Sequence, residues 1–253
     1  MRAELVERSK LGSDQRDAMY AILCGQFQGV SRDQFESDLS EKNWAVLLRA
    51  VQDERLRGFS TLHVQREDGL DGVEVGVVYS GDTVVDGGPG MGSSLSKAWI
   101  GAVNTLRRAE GFERLYWLLL TSGYRTYRFL PVYWSDFHPR HDAPMPPERR
   151  RLMETLAAAR FGPLFDRGAG IVRFTRPQLL RDELRGIPEH RLADPHIAFF
   201  AHANPGHEGG DELVCLTELT EENLTSAGRR MWRGGDRLFE AAGMLPSSTD
   251  PPG

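Results

Sequence analysis

Residues 73–106 place an apolar strand, a glycine-rich turn and a helix in direct succession, and this order constrains the fold strongly. The strand is VEVGVVYSGDTVV, the turn DGGPGMGSS and the helix LSKAWIGAVNTL. The first N–H groups of a helix lack intrahelical partners, and the helix dipole favours negative charge there. Gly90 and Gly92 lack the Cβ atoms that would keep a phosphate from these amides. The stretch therefore predicts an anion site at a helix N-terminus.

The spacing of the glycines excludes two common phosphate-binding loops. Gly87 and Gly92 have the glycine spacing of a Walker loop, but Ser93 stands where the phosphate-binding lysine is required. A dinucleotide fingerprint that starts at Gly88 also needs a glycine where Ser93 stands, and one that starts at Gly90 needs it at Leu95. We therefore expect neither a nucleoside triphosphatase nor a dinucleotide-binding domain.

Composition narrows the class of protein. The chain has 253 residues, of which 40% are hydrophobic and 26% charged, and this composition is typical of a globular domain. Its formal net charge of -5 argues against nucleic acid as the main partner. No apolar run reaches the length of a membrane span, and the N-terminus lacks a signal-peptide pattern, so we expect a cytoplasmic protein. No linker divides the chain, and we expect one domain over residues 1–245 with a disordered tail over 246–253.

Hydrophobic periodicity and turn residues predict the order of the elements. The predicted elements are helices at 13–27 and 31–42, a hairpin over 44–64, a strand at 73–85, a helix at 94–110, a strand at 114–121, a helix bent near Pro131 at 124–134, a basic helix at 147–160, a short strand at 170–174, short helices at 178–185 and from 194, a strand at 212–217 and a helix at 221–242.

The glycine turn and this element order resemble those of the GNAT superfamily of acyl-CoA-dependent N-acyltransferases. The pyrophosphate signature of that family is Arg/Gln-x-x-Gly-x-Gly/Ala, commonly continued by Ser-x-Leu, and residues 90–95, GMGSSL, match its second half. Gly87 occupies the Arg/Gln position. Residues 56–59 look like the third strand of the family and residues 118–121 like its fifth. The resemblance covers roughly residues 13–135.

The resemblance implies an α/β fold, in which helices flank a mixed, mostly antiparallel sheet and a long insertion at about 136–210 precedes the last strand. It implies acetyl-CoA or another acyl-CoA as co-substrate. The backbone amides at the end of the fourth strand would then contact the thioester carbonyl, and the glycine turn would hold the pyrophosphate. By this carry-over the cofactor-binding residues are Thr83, Val84, Val85, Gly87, Gly88, Gly90, Met91, Gly92, Ser93 and Ser94.

Four side chains are candidates for the proton transfers of acyl transfer. Glu74 and Asp82 lie on the fourth strand, and period-2 alternation puts both on the face of Val78. The alternatives are a solvated carboxylate for Glu74 and turn hydrogen bonding for Asp82. In the family a tyrosine after the fifth strand protonates the thiolate of coenzyme A. Tyr133 and Tyr127 are the candidates for this role here. For each of them, aromatic packing without a catalytic role is the alternative interpretation.

Other polar stretches are weaker candidates. Residues 136–142 contain metal-binding residue types without a recognised ligand spacing, so we predict no metal. Residues 204–212 form a polar, glycine-rich loop before the last strand, which in this fold can border the acceptor cleft, with a plain surface turn as the alternative. Cys24 and Cys215 lie in apolar runs without an activating partner, and we interpret them as buried small hydrophobic residues.

We therefore expect an acyltransferase in which an amine attacks the thioester directly, without a covalent enzyme intermediate. The acceptor would be an amine on a small molecule or peptide, and the protein a monomer or homodimer. Two alternatives stay open. One is a non-catalytic acyl-CoA sensor, which Gly87 at the Arg/Gln position favours. The other is a transferase that uses acyl-carrier protein or a long acyl chain, for which the basic helix at residues 148–154 could bind an acidic carrier.

Overall fold

The computed structural model describes residues 1–87 and 91–240. The expected tail at 246–253 lies outside these residues. The helices are α1 Ser13–Gln26, α2 Arg32–Ser40, α3 Met91–Ala109, α4 Tyr124–Tyr127, α5 Phe129–Tyr133, α6 Pro147–Phe161, α7 Pro195–Ala203 and α8 Ser226–Glu240. The strands are β1 Arg2–Glu7, β2 Phe27–Gln28, β3 Trp44–Arg49, β4 Leu56–Asp68, β5 Glu74–Val85, β6 Leu115–Thr121, β7 Phe137–His138, β8 Phe165–Asp166, β9 Ile171–Val172, β10 Leu179–Leu180 and β11 Glu212–Glu218.

A mixed sheet organises the described residues. Its strand order is β1-β3-β4-β5-β6-β11-β9-β8, with β7 paired to β11. The pairs along this path are antiparallel except β5 with β6, which run parallel. Parallel neighbours need a crossover connection, and α3 supplies it. The expected α/β fold with a mostly antiparallel sheet flanked by helices is thereby confirmed.

Helices cover both faces of the sheet. We name the face that carries α3, α4, α5, α7 and α8 the α3 face, where residues such as Val78, Trp99 and Trp117 form one core cluster. We name the opposite face, covered by α1, α2 and α6, the α2 face, and its two clusters contain Val77 and Val84 among others. β6 is buried at every residue, as its continuous apolar run predicts. The middle of the sheet therefore lies deep in the molecule.

Several local predictions need correction. Residues 178–185 do not form a helix, because Leu179–Leu180 pair with β2 as strand β10. The helix expected at 124–134 is divided between α4 and α5 at Arg128, and Pro131 fits in the first turn of α5, where it breaks no intrahelical bond. The last helix begins at Ser226, five residues later than expected. Strand β1 was not predicted, because its pairing with β3 supplies a partner that lies about 40 residues away in sequence.

Helices α3 and α8 cross at a pair of glycines. A Cβ atom built on Gly101 would lie 2.6 Å from Gly235 Cα, and one built on Gly235 would lie 2.5 Å from Gly101 Cα. Beside this crossing, Asn104 Nδ2 donates to Asp236 Oδ1 at 2.6 Å. Only glycine allows two helix backbones to approach so closely. The crossing fixes α3, and with it the helix N-terminus that follows the glycine turn.

Replacing Gly101 by alanine should therefore separate the two helices. We expect Gly101→Ala to lower the free energy of unfolding by about 1–3 kcal/mol through overpacking. The matched control is Gly25→Ala in α1, since a Cβ atom there would meet nothing within 4 Å. That variant should be neutral or more stable by up to about 1 kcal/mol. Urea denaturation of both variants checks this, and equal stabilities would contradict the close crossing.

Candidate active site where two strands separate

The parallel neighbours β5 and β6 separate in the middle of the sheet. Their pairing runs from Gly76 with Leu115 to Tyr79 with Leu118. Beyond these residues β5 stays paired with β4 as far as Val85, while β6 continues alongside β11 to Thr121. In the described part of the chain, a gap therefore opens between the C-terminal ends of the two strands.

A β-bulge in β5 accompanies this separation. Ser60 of β4 pairs with Thr83 and Leu62 pairs with Ser80, so Thr61 faces two residues, Gly81 and Asp82. A Cβ atom built on Gly81 would lie 2.5 Å from Thr61 Oγ1. Glycine is thus required at this crowded position, and the extra residue bends the strand. The bulge lies at the point where β5 leaves β6.

The bulge also redirects the backbone amides of β5. Before it, Gly76 N–H donates to the Arg114 carbonyl on the β6 side at 2.8 Å, and after it Asp86 N–H donates to the Arg57 carbonyl on the β4 side at 2.6 Å. The N–H groups of successive residues in a strand point alternately to its two neighbours. Before the bulge, the N–H groups of even-numbered residues therefore point to the β6 side, and after it those of odd-numbered residues do. The N–H groups of Thr83 and Val85 therefore point into the gap, whereas that of Val84 points to β4.

The same bulge moves Asp82 to the other face of the sheet. Simple alternation places Glu74 and Asp82 on one face with Val78, and for Asp82 this prediction is wrong. Val78 lies on the α3 face, but the charged neighbours of Asp82 are Asp38 and Lys42, which belong to the α2 face. The extra residue in the bulge is the reason, because it shifts the side-chain period by one.

Asp82 lies in the bulge beside the gap, on the α2 face. Burial and the negative charge of Asp38 raise the pKa of the Asp82 carboxyl to about 6. Glu212, at the start of β11, lies on the same face, since the following Leu213 belongs to the α3-face cluster. Burial and the charge of Asp82 raise the pKa of Glu212 to about 7. Both carboxylates are therefore suited to take up or release a proton near neutral pH.

Two cations and a tyrosine complete this cluster. Arg160 of α6 lies 4.0 Å from the centroid of the Tyr79 ring, and Lys42 Nζ lies 5.4 Å from it. Burial raises the pKa of the Tyr79 hydroxyl, so Tyr79 is a neutral group here. We name Asp38, Lys42, Tyr79, Asp82, Arg160 and Glu212 the charged cluster.

The other predicted carboxylate lies far from this cluster. Glu74 begins β5, eight residues before Asp82, which corresponds to about 26 Å along an extended strand. Its side chain is 58% exposed and pairs with Arg66 at 2.6 Å. The exposed position of Glu74 therefore favours the alternative interpretation, a solvated carboxylate, over a role in proton transfer.

The two candidate tyrosines lie on the α3 face. Tyr127 is fully buried, its hydroxyl donates to the Pro139 carbonyl at 2.9 Å, and burial raises its pKa. Its ring packs 5.5 Å from that of Phe200. Tyr133 is 8% exposed and its ring packs edge-on against Trp134. The structure brings neither tyrosine together with Asp82.

The last residues of the glycine turn, from Met91 onwards, form the start of α3. Met91 is its first residue and packs partly against the α3-face core. Gly92 is exposed, and a Cβ atom on either Gly92 or Gly87 would meet nothing within 4 Å. Ser93 and Ser94 follow in the first helical turn. Gly88 and Gly90 lie outside the described residues.

The segments between β6 and β11 border the C-terminal end of the gap. Gln178 Nε2 donates to Asp38 Oδ2 at 3.1 Å, which ties these segments to the charged cluster. A small pocket lies beside this contact and is lined by residues 122–125, 178–180, 184–187, 207, 208 and 210. The predicted polar loop at 204–212 thus contributes Glu208 to this pocket, while Glu212 is the first residue of β11 and belongs to the charged cluster.

Sequence reasoning missed Asp38, Lys42 and Arg160. A signal existed for Lys42, because it follows an amphipathic helix and directly precedes the apolar hairpin, where a lysine is rarely buried. Arg160 is the last residue of the predicted basic helix at 147–160. Its side chain is only 16% exposed, whereas Arg150 and Arg151 on the same helix are exposed.

Other expectations concern cysteines, metals and membranes. Cys215 is buried, and burial raises the pKa of its thiol. Cys24 is only half-buried, which corrects the expectation that both are buried. Within residues 1–87 and 91–240, no group of His, Cys, Asp and Glu side chains could hold a metal ion. Across the same residues, no helix combines the length and apolar character of a transmembrane segment.

Comparison with known proteins gives matches among solved structures. Neither a protein-family model nor a curated protein matches the chain. A probable N-acyltransferase from Enterococcus faecalis is 18% identical with a TM-score of 0.37, over 54% of this chain and 33% of that one. The aminoglycoside 6'-N-acetyltransferase from Enterococcus faecium is 11% identical with a TM-score of 0.40, over 87% of this chain and 98% of that one.

A further match is an aminoglycoside 6'-N-acetyltransferase in complex with coenzyme A. It is 12% identical with a TM-score of 0.35, over 86% of this chain and 97% of that one. Two of these three proteins are thus N-acetyltransferases and the third is a probable N-acyltransferase. At such identities and TM-scores, the likeness gives no conclusion about the activity, substrate or acyl donor of this chain.

The raised pKa of Asp82 predicts a pH-dependent stability. The folded protein binds this proton more tightly than the unfolded chain, whose ordinary Asp value is 3.8, so the free energy of unfolding should fall as pH rises from about 4 to about 6. In the Asp82→Asn variant the free energy of unfolding should depend less on pH over this range. At pH 8 it should be about 1–3 kcal/mol higher than that of the wild type. Urea denaturation at pH 4, 6 and 8 measures it. Asp86→Asn, at an exposed ion pair with Arg57, should keep the wild-type pH dependence.

Proposed function

We propose that this protein transfers an acetyl or other acyl group from acyl-CoA to an amine acceptor. The observation that carries the proposal is the gap between β5 and β6, into which the N–H groups of Thr83 and Val85 point. An acyl thioester needs a donor for its carbonyl oxygen, because negative charge develops there when a nucleophile attacks. Strand amides without a partner strand supply such a donor.

On the donor side, the pantetheine chain would lie in the gap as an added strand. The pyrophosphate would lie at the start of α3, against the amides of Met91, Gly92, Ser93 and Ser94, where the helix dipole favours negative charge. Gly87 at the exposed end of β5 leaves room for it. The α3 face is thus assigned to the acyl donor.

On the acceptor side, the charged cluster lies on the α2 face of the same gap. An amine must lose its proton to attack the thioester, and Asp82 is placed to accept that proton. A carboxylate whose pKa is about 6 is mostly ionised at neutral pH and still basic enough to act. Glu212, as a neighbour of similar proton affinity, would pass the proton towards solvent.

The transfer is proposed as a direct attack. Cys215 is an unsuitable nucleophile, because it is buried and its pKa is raised. The amine nitrogen forms the amide bond as the carbon–sulfur bond breaks, and the coenzyme A thiolate takes up a proton. Tyr133 on the α3 face is the proposed donor of that proton, whereas we assign no step to Tyr127 or Glu74, whose positions are described above.

The proposal is tested by binding and turnover together. Acetyl-, hexanoyl- and palmitoyl-CoA are titrated calorimetrically, and thiol release is followed with a library of amines. We expect binding of at least one ester and thiol release that depends on an amine. Failure to bind any ester would contradict the proposal. Binding without turnover would favour the acyl-CoA sensor, and acylation only from an acyl-carrier protein would favour the carrier-dependent transferase.

A substitution in the first turn of α3 tests the position of the pyrophosphate. Gly92→Val adds a branched side chain where the described structure leaves open space, so the fold should tolerate it. We expect acyl-CoA binding to weaken at least tenfold, because the new side chain blocks the helix amides. Ala109→Val, at the exposed far end of the same helix, is the matched control and should bind normally. Equal affinities would place the pyrophosphate elsewhere.

The role of Asp82 predicts a specific loss of rate. Asp82→Asn should lower kcat/KM by about 10²–10³-fold, because the amide cannot accept the proton of the amine. Calorimetric affinity for acyl-CoA should change little, since Asp82 lies on the acceptor side. Thiol release measures the first quantity. Unchanged turnover in a folded Asp82→Asn protein would remove Asp82 from the mechanism.

A further inference from the structure

Lys42 is a buried cation within the charged cluster. It lies two residues beyond the end of α2, and its side chain is only 5% exposed. Its Nζ donates to the main-chain carbonyl of Asp38 at 2.8 Å. Among the described residues, its one carboxylate within 4 Å is that of Glu41 at 3.9 Å, which is itself 63% exposed. Burying a lysine without a close carboxylate partner costs stability. Lys42 therefore destabilises the fold unless its positive charge stabilises the ionised form of another group nearby.

The position of Lys42 is fixed against the bulge of β5. A Cβ atom built on Gly81 would lie 2.6 Å from Lys42 Cε and 3.5 Å from Lys42 Nζ. Asp82 is the next residue in the strand. The bulge turns Asp82 towards the α2 face, where the ammonium group of Lys42 lies. A cation on the same face of the sheet favours the ionised form of a carboxyl group, and Lys42 acts on Asp82 in this direction.

The charged and titratable groups around Asp82 come from several elements. Asp38 of α2, Lys42 after α2, Tyr79 of β5 and Glu212 of β11 interact with Asp82 electrostatically, while Glu41 after α2, His63 of β4 and Arg160 of α6 contact members of this group or each other. Asp38 and burial favour the protonated carboxyl of Asp82, and Lys42 is the group that favours the ionised one. Arg160 is engaged with the exposed Glu41 at 3.6 Å and with the Tyr79 ring. Asp82 is thus one of three carboxylates, with Glu41 and Asp38, on which the charge of Lys42 acts.

We propose that Lys42 is a positioning residue, which keeps the buried carboxyl of Asp82 ionised at neutral pH and so sets the lowest pH at which the amine acceptor is acylated. The kinetic part of this inference rests on the proposed function. The electrostatic part rests on the fold alone, so the two can fail separately.

The proposal is distinct from a structural role for Lys42. If the ammonium group serves Asp82, removing its charge leaves the ionised carboxylate without its cation, so stability should fall more at pH 8, where Asp82 is ionised, than at pH 4, where it is protonated. If Lys42 instead anchors the end of α2 through Asp38, removing it should lower the melting temperature and leave the titration of Asp82 unchanged. Stability and titration therefore have to be measured on the same variants.

The experiment uses the full chain with Lys42→Met, Lys42→Gln and Lys42→Arg, and with Lys10→Met as the matched control. Lys10 is exposed and pairs with Glu7, so its removal should have no effect. The titration of the Asp82 carboxyl is followed by carbon-13 NMR without any ligand. The pH dependence of kcat/KM is followed by thiol release from acetyl-CoA.

In both neutral variants the midpoint of the Asp82 titration should rise by about one pH unit, with the acidic limb of kcat/KM moving equally, which is a roughly fivefold loss of rate at pH 6. Lys42→Arg should restore both midpoints, since it keeps the charge. Melting temperatures of the neutral variants should fall more at pH 8 than at pH 4. A folded Lys42→Met or Lys42→Gln protein with an unchanged Asp82 midpoint would overturn the inference. A shifted NMR midpoint in a protein that binds no CoA ester would support the electrostatic role and reject the proposed function.

Discussion

The β-bulge at Gly81 and Asp82 is the constraint on which the candidate site depends. One extra residue opposite Thr61 bends β5 away from β6 and reverses the direction of the amides that follow. The same extra residue turns Asp82 from the α3 face to the α2 face. Gly81 makes this possible, because a Cβ atom there would overlap with both Thr61 and Lys42. A single local irregularity thus creates the gap, the amide donors and the position of the carboxylate.

The two faces of the sheet differ in chemistry at this gap. The α3 face offers aromatic packing and a helix N-terminus. There Trp117 Nε1 donates to Ser80 Oγ at 2.8 Å, and Ser80 directly follows Tyr79, the last residue of β5 that pairs with β6. The α2 face instead holds carboxylates, a lysine and an arginine in a setting with little solvent, which raises the pKa of Asp82 to about 6 and that of Glu212 to about 7. The proposed acyl donor, a thioester with an anionic pyrophosphate, suits the α3 face, and a cationic amine acceptor suits the carboxylates of the α2 face.

The sequence predicts the elements well, because their signals are local. Ser31 begins α2 by accepting a hydrogen bond from Gln34 N at 3.1 Å, as its capping pattern indicates. The continuous apolar run at 114–121 likewise predicted a strand covered on both faces, and β6 is buried at every residue. The charged cluster could not be predicted in the same way, since its members come from positions 38 to 212 and only tertiary packing brings them together.

The prediction for Glu74 and Asp82 shows a second limit. Alternation along a strand holds only while the register is regular, and one bulge is enough to reverse it. Gly81 was a signal for that bulge, yet a glycine does not show which way the following side chain turns. Leu179–Leu180 show the same limit, because a two-residue pairing with β2 decides their conformation.

The most direct test of this account observes the backbone amides of β5 while an acyl-CoA ester binds. Nitrogen-15 NMR spectra are recorded during titration with a non-hydrolysable thioether analogue of acetyl-CoA. The account predicts that the N–H signals of Thr83 and Val85 shift strongly downfield, since they donate to the acyl carbonyl, while that of Val84, which points to β4, moves little. Binding of the analogue without a shift at Thr83 and Val85, or an equal shift at Val84, would contradict it.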